Sequence, residues 1–413
     1  MSLPWAEPFA AALNLRSEPG LVLLESRPGF GALGRRSFLA VRPREVATEG
    51  LLDLERLDDG WWAGWLSYDL GRQIEALPSL AEDELGLPPL ALGRYDAWLE
   101  FDHARRTVVP HGDVSLLAGA LERPAYRPVE LWETSLPRGR YERAVERAVE
   151  YIRAGDIFQV NLSQRLSADW DGDPFALYAR LRESSPAPFM ALVRLGGAEI
   201  VSASPERFLS VRGDRIETRP IKGTRPRAPD AAVDAQLART LAASEKDRAE
   251  NVMIVDLARN DLGRVARYGT IAVERLCELE RHPGVHHLVS TVSASLRPGT
   301  RPVDVVRAAF PPGSVTGAPK VRAMEIIDEL EPVRRGPYCG AIGWFHRGDL
   351  ELSVAIRTFI AARARLHLHV GGAVTADSDP AGEWQETMHK AARLLDAAGG
   401  RLARDPARVP APA

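Results

Sequence analysis

A lysine stands in the segment RPIKGTRPR (219–227), between a β-branched apolar residue and a Gly-Thr turn. Pro220 bars a helix there, and the preceding run Arg215-Ile216-Glu217-Thr218 reads as a strand. Gly223 lets the backbone approach a ligand closely, and Thr224 sets a hydroxyl beside it. The Lys222 amine is a nucleophile if it is desolvated or placed near other cations; otherwise it is a solvated surface charge. Glu206, in SASPERF (202–208), follows a strand and a Pro turn. A carboxylate at a strand end under an apolar sheet has a raised pKa and can protonate a leaving group; the plainer alternative is a glutamate that caps a turn.

Two helical stretches repeat one acidic pattern. SEKDRAEN holds Asp247 and Glu250 at i and i+3, and GEWQET holds Glu383 and Glu386 at the same spacing. Each pair lies on one helix face. Four carboxylates from two helices can make a hard-oxygen site for Mg²⁺, an ion that takes one or two carboxylates and keeps water or substrate oxygens. The same spacing also decorates many solvated helix faces. His286-His287 offers either metal ligation or a single polar contact to substrate or backbone.

The elements that must position these groups come in clusters. LVLLES (21–26), SFLAV (37–41) and WWAGWLSYDL (61–70) read as strands broken by Gly and Pro. GFGALG (29–34) matches a dinucleotide-binding spacing, but Pro28 precedes it and a strand-like run follows, so a plain glycine-rich loop is expected. A helix is predicted from Arg140 to Ala154, a strand over 157–167, a helix over 174–185, and one long helix over 229–260. Strands are expected over 287–296, 339–345, 350–362 and 364–374, with helices over 303–310, 318–331 and 382–398. Strict βα alternation is lacking, so the class is α+β: a large mixed sheet-rich core with flanking helices. The organisation expected is an N-terminal region over 1–125, a catalytic region over 135–400, and a Pro-containing disordered tail over 401–413.

Composition narrows the classes. The 413 residues are 45% apolar and 26% charged, ordinary for a soluble globular chain. A net charge of −3 argues against a general nucleic-acid binder. The two cysteines, Cys277 and Cys339, stand far apart and imply neither a disulfide framework nor a zinc site. No uncharged apolar run reaches membrane-spanning length, and the N-terminus lacks the basic region of a signal peptide, so a cytoplasmic protein without membrane attachment is expected.

In order along the chain, GDIFQVNLSQ (155–164), SASPERF, RPIKGTRPR, KDRAENVMIVDLARNDLGRVA (246–266), HHLVSTV (286–292), FPPGSVTGAPKVRAMEIIDELEP (310–332), RRGPYCGAIGWF (334–345), SVAIRTF (353–359), GGAVTADSDP (371–380) and EWQET (383–387) resemble the chorismate-utilising enzymes. That family holds the anthranilate and aminodeoxychorismate synthase components I and the isochorismate and salicylate synthases. The resemblance spans about 140–399 and is looser before it, through LLES (23–26) and GWLSYDLGRQIEALP (64–78). Within the family two positions sort the chemistry. Anthranilate synthases typically carry Ala where this chain has Lys222, whereas aminodeoxychorismate synthases of the best-understood kind carry Lys. Isochorismate and salicylate synthases place a lysine base where this chain has Gln159, a neutral amide that cannot take a proton.

The resemblance therefore implies amination of chorismate at C4 to 4-amino-4-deoxychorismate, on the way to 4-aminobenzoate and folate. It implies Lys222 as covalent nucleophile, in a neighbourhood made cationic by Arg219 and the metal, and Glu206 as general acid. It implies Mg²⁺ on Glu250 and Glu386 with Glu383 and Asp247 in support. Substrate contacts fall to Thr224, His287, Tyr338, Arg357, Gly371, Gly372 and Lys390. Ammonia would come from a separate glutamine amidotransferase subunit, because no region of this chain is left to supply that activity. Ser26 marks a place where related enzymes hold tryptophan. The rival readings are an anthranilate synthase component I, which Lys222 disfavours, and a non-catalytic chorismate or tryptophan sensor, which the retained Glu206, Glu250 and Glu386 disfavour.

Overall fold

The computed structural model describes residues 3–113 and 124–403. Its strands form two large sheets. One has 12 strands and runs, in spatial order, through Leu131–Thr134, Gln159–Asp169, Arg365–Val374, Thr358–Ala362, Ala198–Ser204, Phe189–Leu195, Val22–Glu25, Arg36–Ala40, Trp98–Asp102 and Thr107–His111. The other has 10 strands, including Ile221–Pro226, Val285–Ser295, Arg215–Arg219, Arg207–Arg212, Asp349–Val354, Ala341–His346, Trp61–Leu66 and Leu90–Tyr95. This is the α+β, sheet-rich class expected. Strands before residue 112 enter both sheets.

The sheets pack face to face. Val22, Ala40, Val193, Ile200 and Ile360 of the first meet Trp61, Ala63, Trp65, Ala91 and Ile342 of the second in one buried cluster. All six residues of Trp61–Leu66 are buried, because that strand is covered on both faces. Helices cover the outer faces. Arg138–Ala154, Pro174–Ser184 and Pro380–Ala398 lie on the first sheet, where Leu177, Tyr178, Ala391 and Leu394 join Leu166, Leu368 and Val370. Glu245–Gly263 covers the second, with Pro302–Ala309 packed against it, and Val255 and Val306 join Leu209, Ile216 and Val292; Lys320–Leu330 packs on Gln159–Asp169 of the first.

Several boundaries differ from the sequence reading. The long helix over 229–260 is two, Ala231–Ala242 and Glu245–Gly263, because the Ser244 hydroxyl accepts from the Asp247 amide and starts a new helix. The run over 350–362 is also two strands, Asp349–Val354 and Thr358–Ala362, which belong to different sheets; Arg357 between them has φ 51°. An edge strand, Ala272–His282, pairs with Val285–Ser295 and was not foreseen, since its residues are mostly exposed and lack alternation. The GFGALG loop contains a short 3₁₀ turn leading into a strand, as a plain loop should. The tail expected over 401–413 begins in order: Arg401–Leu402 pairs in parallel with Leu131–Thr134, and 404–413 lie outside the described residues.

A buried ion pair stands near the seam between the sheets. Arg335, 1% exposed, donates to both oxygens of Glu331 and to the carbonyls of Val315 and Asn161. Glu331 also accepts from the amide and hydroxyl of Ser163, at 2.7 and 2.9 Å. Removing one partner strands the other charge in the interior. Arg335→Met should lower unfolding free energy by about 3–5 kcal/mol. Chemical denaturation of the variant checks this, and a loss below about 1 kcal/mol would show that Glu331 finds solvent or a proton instead.

Candidate active site

Residues 215–226 run along one side of Val285–Ser295, with Thr218 opposite Val292 and Ile221 opposite Val289. The register then slips by one, so that Thr224 faces His287. Lys222 and Gly223 thus form a β-bulge, the device by which a strand re-aims a side chain. Gly223 has φ 86°, and a Cβ there would stand 2.9 Å from the Asp247 Cβ. Glycine is needed at 223 for both the turn and the helix contact. Across the strands, Thr224 Oγ1 and His287 Nδ1 are 2.9 Å apart, and the buried His287 Nε2 has no partner. Burial, with Arg357 nearby, holds His287 neutral by pushing its pKa well down.

Glu206 stands where the chain leaves the first sheet for the second. It is 5% exposed. Burial pushes its pKa up to about 7, against hydrogen bonds from Ser314 and the Ile221 amide and the charges of Lys222 and Arg357. Lys222 is partly buried, and desolvation lowers its pKa. Among its charged neighbours Glu250, Glu206 and Glu386 favour the ammonium, and Lys390 disfavours it. The cation expected to act here, Arg219, points elsewhere. Its guanidinium pairs with Glu280 on the unforeseen edge strand and lies 3.4 Å from Thr291 Oγ1.

The carboxylates come from two helices. Asp247 is tied to Arg225 at 3.3 Å. Glu250 is partly buried, and burial raises its pKa against the pull of Lys222 and Lys246. Glu383 is 4% exposed; it accepts from Ser378 Oγ at 2.6 Å, and its Oε2 has no partner. Burial and the Glu386 charge raise its pKa, against the Ser378 bond. Glu386 pairs with Lys390 Nζ at 2.8 Å, which outweighs burial and lowers its pKa. Among the described residues no three His, Cys, Asp or Glu side chains are close enough to close around a metal. The donor chemistry nonetheless suits Mg²⁺: hard oxygens with mutual repulsion and one buried oxygen left unbonded. Lys246, Ser314 and Ser378 escaped the sequence reading, although all three lie inside the matching segments.

Of the other expected substrate contacts, Arg357 lies by Glu206 and Lys390 by Lys222, whereas Tyr338 lies by Arg335. Gly371 and Gly372 lie on Arg365–Val374 beside the Pro380–Ala398 helix, and Lys390 Nζ donates to the Gly371 carbonyl at 3.2 Å. Arg357 is buried enough, and close enough to Arg393, that its pKa falls to about 10 despite Glu206. Tyr338 is 4% exposed and stacks on His369 at 4.9 Å. Ser26 lies apart, its amide donating to Ser37 Oγ at 2.9 Å. It lines a cavity of about 530 Å³ between the sheets, with Phe38, Phe189, Met190, Arg207 and Trp344.

A family model described as chorismate binding enzyme matches residues 36–396. The chain is 46% identical to aminodeoxychorismate synthase component 1 of Escherichia coli over 341 residues, 80% of this chain and 75% of that protein. It is 44% identical to anthranilate synthase component 1 of Thermus thermophilus, over 82% of this chain and 77% of that protein. Among solved structures, anthranilate synthase component I from Streptococcus pneumoniae superposes with a TM-score of 0.79 at 32% identity, over 90% of this chain and 93% of that one. A menaquinone-specific isochorismate synthase from Escherichia coli shares the fold at 19% identity, with a TM-score of 0.81 over 97% and 94% of the two chains.

The raised Glu206 carboxyl carries a signed consequence for stability. Below the ordinary carboxylate pKa of 4.5 both folded and unfolded chains hold the proton; between there and about 7 only the folded chain does, so folding is penalised as pH rises through that window. Glu206→Gln removes the penalty. Relative to the parent, it should gain on the order of 3 kcal/mol between pH 4.5 and pH 8. Denaturant unfolding at both pH values measures this, and a pH-independent difference would mean that Glu206 is ionised in the folded chain throughout.

Proposed function

The chain belongs to the chorismate binding enzymes, and from that premise we propose that it aminates chorismate at C4, as the aminating component of an aminodeoxychorismate synthase. One observation carries the choice over the anthranilate branch: a lysine, not an alanine, occupies the bulge, with a pKa lowered by burial, close to the Glu206 carboxyl. Identity alone does not choose, since both kinds of relative match almost equally.

Glu206, protonated near neutral pH, gives its proton to the 4-oxygen, and the C4–O bond breaks with loss of water. The neutral Lys222 amine forms a bond to C2 as the ring double bonds shift, which divides one hard displacement into two steps. Ammonia attacks C4, the C2–N bond breaks, and Lys222 leaves as a free amine. The new C4 ammonium returns a proton to the Glu206 carboxylate, so acid and nucleophile are both reset. Arg357 holds the enolpyruvyl carboxylate with Tyr338 beside it, and His287, kept neutral, and Thr224 face the ring. Glu250 and Glu386, supported by Glu383 and Asp247, would hold Mg²⁺, which supplies positive charge to the ring carboxylate and fixes the substrate. We assign the ammonia to a separate glutamine amidotransferase subunit, in keeping with relatives called component 1, and the reaction to the cytoplasm; no helix among the described residues is long and apolar enough to cross a membrane. The cavity beside Ser26 is our choice for a bound tryptophan, given its aromatic lining.

Incubation with chorismate, Mg²⁺ and an ammonium salt should yield 4-amino-4-deoxychorismate by chromatography. Fluorescent 2-aminobenzoate as the main product would instead place the chain in the anthranilate branch. Glu206→Gln should lower kcat by roughly 10²–10⁴-fold. Lys222→Ala should lower it substantially without abolishing it, and intact-mass analysis with chorismate but no ammonia should find an adduct on the parent chain only. An unchanged kcat in Lys222→Ala would remove the nucleophile from the scheme.

A further inference from the structure

We propose that the Lys390 ammonium stands in for the divalent cation in the substrate-free protein, and passes to a substrate carboxylate when ion and substrate arrive together. The inference rests on the reading that a divalent ion binds these carboxylates, and it adds what holds them before the ion binds and what frees them.

Three polar atoms converge on one spot. A Cβ on Gly372 would lie 3.2 Å from Glu383 Oε2, 3.7 Å from Lys390 Nζ and 3.8 Å from Glu386 Oε1, so glycine leaves open the space they share. The ammonium is 2.8 Å from Glu386 Oε1 and 3.2 Å from the Gly371 carbonyl. An ordinary Glu–Lys pair at i and i+4 is loose surface decoration. This one is anchored to the neighbouring strand by the bond to the Gly371 carbonyl. It also faces Glu383, one oxygen of which is held by Ser378 while the other is buried and unbonded. A half-satisfied carboxylate in the interior is costly unless something of positive charge completes it. The ammonium is near enough to temper that cost, and it lies where an ion bridging Glu383 and Glu386 would have to enter.

Two cations cannot share that spot. An incoming ion must displace Lys390 from Glu386, and the displaced ammonium needs another anion. Chorismate, a dicarboxylate, brings one. Ion and substrate therefore help each other bind, and by linkage each raises the other's affinity by the same factor.

The test is Mn²⁺ binding followed by electron paramagnetic resonance, with and without chorismate, in the parent, Lys390→Met, Lys390→Gln and Lys246→Met. Lys246 is exposed and acts on the same carboxylates through charge alone, so its variant measures the general effect of removing a positive charge. Without chorismate, both Lys390 variants should bind Mn²⁺ at least about tenfold more tightly than the parent and clearly more tightly than Lys246→Met. The enhancement that chorismate gives the parent should shrink in them. Affinity that is unchanged, weaker, or no better than in Lys246→Met overturns the stand-in role. A parent that binds no Mn²⁺ even with chorismate overturns the metal reading itself, and the stand-in with it.

Discussion

The chain passes between its sheets at 204–207 and again at 354–358, and the two crossings are bonded to each other. The Val354 amide donates to the Glu206 carbonyl at 3.0 Å, and the Ala203 amide to the Arg357 carbonyl at 3.1 Å. On one side Ser202 faces Thr358 in the first sheet; on the other Arg207 faces Ser353 in the second. A crossing is where a strand's regular partners run out and its side chains need no longer alternate between two packed faces. Glu206 and Arg357 occupy those places. The candidate acid and the candidate carboxylate-binding cation therefore have their separation set by the ladders of both sheets, not by a loop.

The helices complete what the seam begins. Glu245–Gly263 brings Glu250 from the side of the second sheet, and Pro380–Ala398 brings Glu383 and Glu386 from the side of the first. A site assembled from both layers buries the groups at its centre, and burial is the leading influence on Glu206, Lys222 and His287 alike. It acts on them in opposite senses. It favours the protonated carboxyl and disfavours the ammonium and the imidazolium, which suits an acid paired with a nucleophile.

Much of the site was legible because its chemistry sits in short words. The lysine before Gly-Thr, the glutamate after a strand and a Pro, and the carboxylate pairs at i and i+3 each belong to one local element. What escaped depends on distant pairing. Arg219 reads as a neighbour of Lys222 in sequence, but its partner Glu280 lies on an exposed edge strand without a periodic pattern. The break at Ser244 is a single hydroxyl in an otherwise helical run, and propensity gave no reason to prefer it. The change of sheet at Arg357 hides inside an apolar stretch that suits one long strand equally well. The cross-strand order in which Val22–Glu25 meets Phe189–Leu195 follows from the core that both must cover, which no single segment records.

The bulge at 222–223 has a bearing on how such enzymes diverge. Its geometry is secured by Gly223 and by the flanking pairs Ile221–Val289 and Thr224–His287, and none of these requires the 222 side chain. The backbone of the bulge does not depend on that side chain, while the proposed reaction does. A position with this combination can gain or lose a side-chain amine by a few base changes without re-forming the turn that carries it. That would let the amination of two different ring carbons arise on one scaffold.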